Sequence, residues 1–139
     1  MTGLPQLLDV PGITTSSSPY PSAVVAGNLI FVSGQVSVDE SGSVVAEGDV
    51  TGQTRQALTR LQQVLEAAGA TLADVVSTTV YLSRSSDAAQ YNAEWARWFG
   101  NRRPARATVV AQLLNERLLV EVQATAVKPS PIPDGGTEK

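Results

Sequence analysis

The sequence predicts an α+β domain in which two helices cover one face of a sheet, and three patterns carry that prediction. Two segments place apolar residues at helical spacing, several others are short runs rich in Val, Ile and Thr, and glycines or turn clusters separate them. Helices confined to one side leave the second sheet face for something else.

At 139 residues, 42% hydrophobic and 17% charged, the chain suits one soluble domain. Residues 1–18 are rich in Pro, Gly, Thr and Ser, and 129–139 mix Pro and Gly with charge. Both are expected to be mobile ends of a domain spanning 19–128. Ala23–Ala26 and residues 29–33 are apolar, and Gly27-Asn28 fills the two positions of a tight turn, which predicts a hairpin. A third short strand at Val44 and Val45 is expected to return from 35–38 through the turn cluster at 39–42.

From Asp49 the period changes. Ala57, Leu58, Leu61, Val64, Leu65 and Ala68 form one helical stripe, with Asp49 or Thr51 as cap and Gly69 as stop. Val75–Leu82 is dense in β-branched residues and reads as a buried strand. A second helix follows, capped by Ser86 or Asp87, with Ala88, Tyr91, Asn92, Trp95, Trp98 and Phe99 at helical spacing and Gly100 at its end. Trp95, Trp98 and Phe99 read as core. Residues 106–113 and 118–127 regain strand character, giving the order βββαβαββ.

If 114–117 closes a regular hairpin, Val110 lies opposite Glu121 and Thr108 opposite Gln123. Arg106 and Glu121 then share a face, four residues apart, or about 13 Å at ~3.3 Å per residue. A face mixing Arg, Glu, Gln and Thr with Leu119 and Val110 suits a partly buried subunit interface.

Charge and composition exclude much. Ten basic residues against 13 acidic ones give a net charge of −3 with no basic patch, so no nucleic acid partner is expected. No run approaches the roughly 18 apolar residues of a membrane span, and no secretory leader pattern opens the chain, so no membrane partner and a cytoplasmic location are expected. There is no cysteine and no histidine, which removes thiolate chemistry, imidazole bases and ordinary zinc centres. Catalysis would have to use carboxylates, hydroxyls, guanidinium or amine groups and backbone amides.

The segments 27–35 (GNLIFVSGQ), 53–58 (QTRQAL), 78–82 (TTVYL), 103–106 (RPAR) and 120–122 (VEV) resemble, in order and spacing, the reactive intermediate deaminase (Rid, YjgF-type) family. The resemblance covers residues 18–128. It implies a chorismate-mutase-like fold and a homotrimer whose sheets surround a central barrel, with a site in each inter-subunit cleft. It also implies cofactor-free hydrolysis of 2-imino or 2-enamino acids to 2-keto acids and ammonia. Arg106 matches the family's carboxylate-binding arginine and Glu121 its water-associated glutamate. Tyr20, Ser33, Gly34, Asn92 and Thr108 match its substrate-binding positions. Departures are Asn115 in place of a common proline, Gln123 in place of a frequent second glutamate, and Pro21 after the tyrosine.

Residue chemistry is compatible with that assignment without requiring it. A guanidinium can clamp a carboxylate with two parallel hydrogen bonds, yet an arginine on a sheet face also serves as a structural ion pair. Glu121 can activate water or simply be a solvated strand residue, and Gly34 can offer its amide or only a turn. Tyr20 can close a cleft or pack, Asn92 can meet ligand or order a loop, and the Ser33 and Thr108 hydroxyls can satisfy backbone groups. A non-catalytic module that binds small molecules in the same clefts is the alternative function.

Overall fold

The computed structural model describes residues 4–129. In chain order the elements are β1 (Gln6–Leu8), β2 (Ala23–Ala26), β3 (Leu29–Val36), α1 (Val50–Ala67), β4 (Val75–Leu82), α2 (Ala88–Phe99), β5 (Ala105–Val110) and β6 (Val120–Val127). The six strands form one sheet in the order β1-β2-β3-β6-β4-β5, and both helices pack on it, a mixed α+β fold.

The element string matches the expected one for a different reason. Val44 makes only an isolated bridge to Val38, so the expected third strand is absent. Its place in the count is taken by β1, which lies in the stretch expected to be mobile. That segment is tied down because β1 pairs along β2, the Leu8 carbonyl accepts from Ser22 N at 2.8 Å, and Val10 is buried in the core. Paired backbone and one anchored apolar residue are enough to order a Pro/Gly-rich end. The expected tail over 129–139 lies, apart from Pro129, outside the described residues.

Sequence chemistry accounts for both helices. The Asp49 carboxylate accepts from Gly52 N at 3.1 Å to cap α1, and Gly69, at φ 86°, turns the chain out of it. Ala57, Leu58, Leu61, Val64 and Leu65 are all fully buried. Each buried leucine contributes roughly 1.5–3 kcal/mol. Gln53, also fully buried, donates to Arg117 O at 2.9 Å and accepts from Leu119 N at 2.7 Å, which pins the entry to β6 against α1. On α2, Asp87 makes no cap bond; its carboxylate takes two bonds from Arg84, at 2.9 and 3.0 Å.

The last two strands overturn the expected hairpin. β5 pairs with β4 in parallel, Thr78 opposite Arg106 and Val80 opposite Thr108, and β6 pairs antiparallel with both β3 and β4. A helix joining two strands of one sheet carries the chain back to the same end, so β5 must run parallel to β4. The connection after β5 then crosses the end of β4, where Ala111 N donates to Leu82 O and Ser83 N to Leu119 O. β5 is therefore an outer edge with every residue exposed.

The shared-face expectation falls with the hairpin. Arg106 is aligned with Thr78 and, across β4, with Ala124, both buried under the helices. Glu121 is aligned with Tyr81 and Val36 on the uncovered face, which also carries exposed Phe31 and Val109. Among the described residues no helix is long and apolar enough to cross a membrane.

Candidate active site

The expected site residues fall into two separate groups. The first stands on the outer edge of the sheet, beside α2. Arg106 leaves β5 toward the helix, and its guanidinium carbon lies 5.2 Å from the Tyr91 ring centre and 5.1 Å from that of Trp95. One turn of helix separates these rings, so together they make a shelf for a planar cation. Asn92, between them in sequence, accepts from Arg106 Nη2 at 2.7 Å. Rings and amide together hold the fork in one orientation while the side chain stays exposed to solvent. A cavity of about 280 Å³ opens beside it, with Trp95, Phe99, Arg103 and Pro104 in its walls.

Tyr91 and Trp95 therefore do more than fill the core, and this part of the site escapes the sequence reading. Their signal is weak because the same spacing that buries an aromatic stripe also builds the shelf. The Tyr91 hydroxyl is buried without a hydrogen-bond partner among the described residues. Burial pushes its pKa up, and the Arg106 charge opposes that shift. Thr108, two residues along β5, shares the parity of Arg106 but lines neither this cavity nor the next.

The second group forms a groove of about 520 Å³ at the end of the uncovered face. Tyr20, Ser33, Gly34 and Glu121 line it, together with Val36, Leu114, Asn115 and Leu118. The strand register creates the floor: between Val32 and Gln35 the β3 ladder against β6 shifts, so Ser33 and Gly34 form a bulge opposite Gln123. A Cβ on Gly34 would collide with the Glu121 carboxylate, lying 2.9 Å from its Cδ and 3.1 Å from its Cγ. Glycine is what lets the acid lie against the β3 backbone here. Glu121 is half-buried, and desolvation alone raises its pKa above the ordinary value of 4.5.

Ser33 has a structural duty within the chain. Its hydroxyl donates to Pro21 O at 2.8 Å and its amide to Ser22 O at 3.0 Å, which latches the segment carrying Tyr20 to the bulge. Tyr20, 58% exposed, stands at the groove mouth. Within the chain, then, the Arg106 guanidinium and the Glu121 carboxylate occupy different faces and different cavities. Among the described residues no cluster of three or more His, Cys, Asp or Glu side chains is placed to hold a metal ion.

Comparison with known proteins agrees with this architecture. The sequence model of the family described as Endoribonuclease L-PSP matches residues 13–128. A RutC family protein of Pyrococcus horikoshii is 41% identical over 110 residues, covering 79% of this chain and 87% of the relative. A second, of Haemophilus influenzae, is 36% identical over 128 residues, covering 88% of this chain and 97% of the relative. Among solved structures, the YjgF gene product of E. coli matches with TM-score 0.80 at 33% identity, over 89% of this chain and 99% of that one. YyfA of Yersinia pestis, described as a member of the conserved Rid protein family, matches with TM-score 0.82 at 29% identity over 89% and 99%. The order of elements, the match over 13–128 and the relatives agree, and the chain belongs to the L-PSP family, which includes the Rid, YjgF and RutC proteins.

Proposed function

We propose that this chain is a cytoplasmic imine deaminase, hydrolysing 2-imino and 2-enamino acids to 2-keto acids and ammonia in a homotrimer. One observation carries the reading: the separation of Arg106 from Glu121. Each group faces an open cavity that lacks the other's charge, and a 2-imino acid needs both. Packing the Arg106 edge of one copy against the Glu121 groove of the next makes one complete site.

The sheet supplies a reason to assemble. β5 is an unpaired edge with Val109 and Val110 exposed, and the uncovered face presents Phe31 and Leu7 to water. An edge and an apolar face left open in one copy are buried when copies close a barrel.

The chemistry follows from the two halves. The substrate carboxylate takes two parallel charge-assisted bonds from the Arg106 fork, which the Tyr91 and Trp95 shelf and Asn92 hold ready. Water attacks the carbon of the protonated imine while Glu121 takes one proton from that water, giving a neutral carbinolamine. Protonated Glu121 returns that proton to nitrogen, and as the C–N bond breaks and ammonia leaves, the carboxylate takes the hydroxyl proton, so that the carbonyl of the keto acid forms. A carboxylate raised in pKa by desolvation is better matched to these proton transfers than a fully solvated one.

The test uses complementation. Arg106→Ala and Glu121→Gln proteins are each expected to fail to speed keto acid release when coupled to a threonine or serine dehydratase. Mixed after unfolding and refolding together, they are expected to regain about a quarter of wild-type activity, the fraction of clefts that draw both intact halves from random assembly. No acceleration by the wild-type protein would reject the deaminase reading. Acceleration by wild type with no recovery in the mixture would reject the shared site. Saturable keto acid binding without turnover would instead favour a non-catalytic module.

The family description favours RNA cleavage as a second reading. A net charge of −3, no histidine and a groove lined by no Lys or Arg all weigh against it. RNA cleavage lost in both variants, with no imine turnover by wild type, would move the function to that chemistry.

A further inference from the structure

Glu121 takes its place from the bulge at Ser33 and Gly34, and the peptide joining those two residues lies outside both neighbouring ladders. The β2 pairing stops at Val32, and β6 passes from the partner of Val32 to that of Gln35. Something else has to hold this peptide. Gln35 does so: its Nε2 donates to Ser33 O at 3.1 Å, and Arg60 Nε, on α1, donates to Gln35 Oε1 at 3.3 Å. We propose that Arg60 is a positioning residue for the reaction, acting through Gln35 to hold the Ser33–Gly34 peptide, and with it the Glu121 carboxylate, where the attacking water is met. The inference rests on the deaminase reading and adds two buried residues to the support of that site.

Three observations carry it. The first is polarity. A glutamine amide by itself can turn either its oxygen or its nitrogen to a neighbour, but a guanidinium has only donors, so Arg60 draws Oε1 toward itself and leaves Nε2 for the carbonyl. The Ser33–Gly34 peptide is trans, so pinning its C=O also fixes the Gly34 N–H, which points the opposite way. The second is cost. Arg60 is only 8% exposed, and among the described residues no carboxylate lies within ion-pair distance of it. Its Nη1 reaches the Val38 carbonyl at 3.3 Å and those of Gly12 and Asp39 at 3.5 Å, long bonds that offset only part of the lost hydration. A neutral side chain of similar volume would fill the space with less penalty, so packing alone does not account for a guanidinium here.

The third observation is shielding. Gln35 is aligned with buried Val122 on the face that the helices cover, so Arg60 and Gln35 are enclosed by their own chain. A second copy packed on the uncovered face meets the bulge from the other side and leaves these bonds in place. On that side Gln123 Nε2 donates to Val32 O at 3.3 Å. The two carbonyls preceding Gly34 are thus each held by a glutamine amide, and only the buried amide is set by a cation.

The experiment measures keto acid release by the full-length protein coupled to threonine dehydratase, with dehydratase flux setting the imine level, beside a melting curve for each variant. Gln35→Glu keeps the size of the side chain and gives Arg60 a carboxylate partner, but it turns an oxygen with no proton toward Ser33 O. Its melting temperature is expected to hold or rise, while kcat falls about tenfold and KM changes less than about twofold. Arg60→Met and Gln35→Leu are each expected to lower kcat about tenfold, and the double variant no further, since either change opens the same relay. Full kcat in Gln35→Glu, or kcat and melting temperature falling together in it, overturns the relay and leaves the deaminase reading intact. A double variant whose loss is the product of the single losses does the same. Absence of turnover by the wild-type protein removes both readings together.

Discussion

Arg106 stands on the outermost strand, open to water, its guanidinium laid over two rings and bonded to one amide. Glu121 stands on an inner strand, half-buried, against a bulge whose glycine leaves room for it. The cation keeps most of its hydration and is oriented by side chains. The acid has lost part of its hydration and is positioned by backbone. The difference teaches where each half can be broken: the cation by removing a side chain, the acid by adding a single carbon to its neighbour.

The largest effect is expected at Arg106. Two charge-assisted bonds at about 1.5–3 kcal/mol each amount to ~3–6 kcal/mol, so Arg106→Ala should lower kcat/KM by roughly a hundredfold to ten-thousandfold. Arg106→Lys should recover little, since an ammonium has neither the fork nor the flat face that the shelf holds. Because the side chain is exposed, thermal stability should move by less than about 0.5 kcal/mol.

Glu121→Gln sharpens the contrast because activity and stability should move in opposite directions. kcat should drop by about 10²–10⁴. The folded-state pKa of Glu121 is raised, so the folded protein holds that proton more tightly than the unfolded chain. The desolvation penalty is therefore absent at low pH and appears as pH rises through the raised value. At pH 8 the glutamine variant should melt at the same temperature as wild type or higher. The acid limb of the wild-type rate profile should have its midpoint above 4.5, the ordinary glutamate value, and lose activity below it. A midpoint at or under that value would mean that the assembled cleft stabilises the charged form.

Gly34→Ala tests the backbone half directly. The added Cβ displaces the end of a flexible side chain, and Gly34 has no positive φ, so the strand can accept alanine. kcat should fall about tenfold to a hundredfold as the carboxylate moves off the attacking water, with little change in melting temperature. Equal losses of activity and stability would mean that the bulge itself had rearranged.

The same contrast explains what could be read from the sequence. Val75–Leu82 and both helices were legible because burial imposes a period, and a period is local. The partner of β5 was not, because alternation names faces within a strand and says nothing of which strand lies beside it. A run of four residues after β5 resembles a hairpin loop whether it returns at once or crosses the end of β4. That single ambiguity put Arg106 and Glu121 on one face. The motif residues at 20, 33, 34 and 121 do gather in one groove, while the shelf under Arg106 stayed hidden among residues that also look like core.

The smallest effect distinguishes a shelf from a hydrogen-bonding partner. The Tyr91 ring is fully buried, its hydroxyl has no partner among the described residues, and the Arg106 guanidinium stacks on the ring face. If the ring alone orients Arg106, Tyr91→Phe keeps the shelf and removes an unsatisfied polar atom. Stability should then hold or rise by up to about 1 kcal/mol, with KM changed less than about threefold. If the hydroxyl takes a bond from the guanidinium once ligand draws it off Asn92, KM rises in Tyr91→Phe while kcat holds. Parallel melting curves and steady-state kinetics on that one variant separate the two, because a purely packing role moves only the melting temperature.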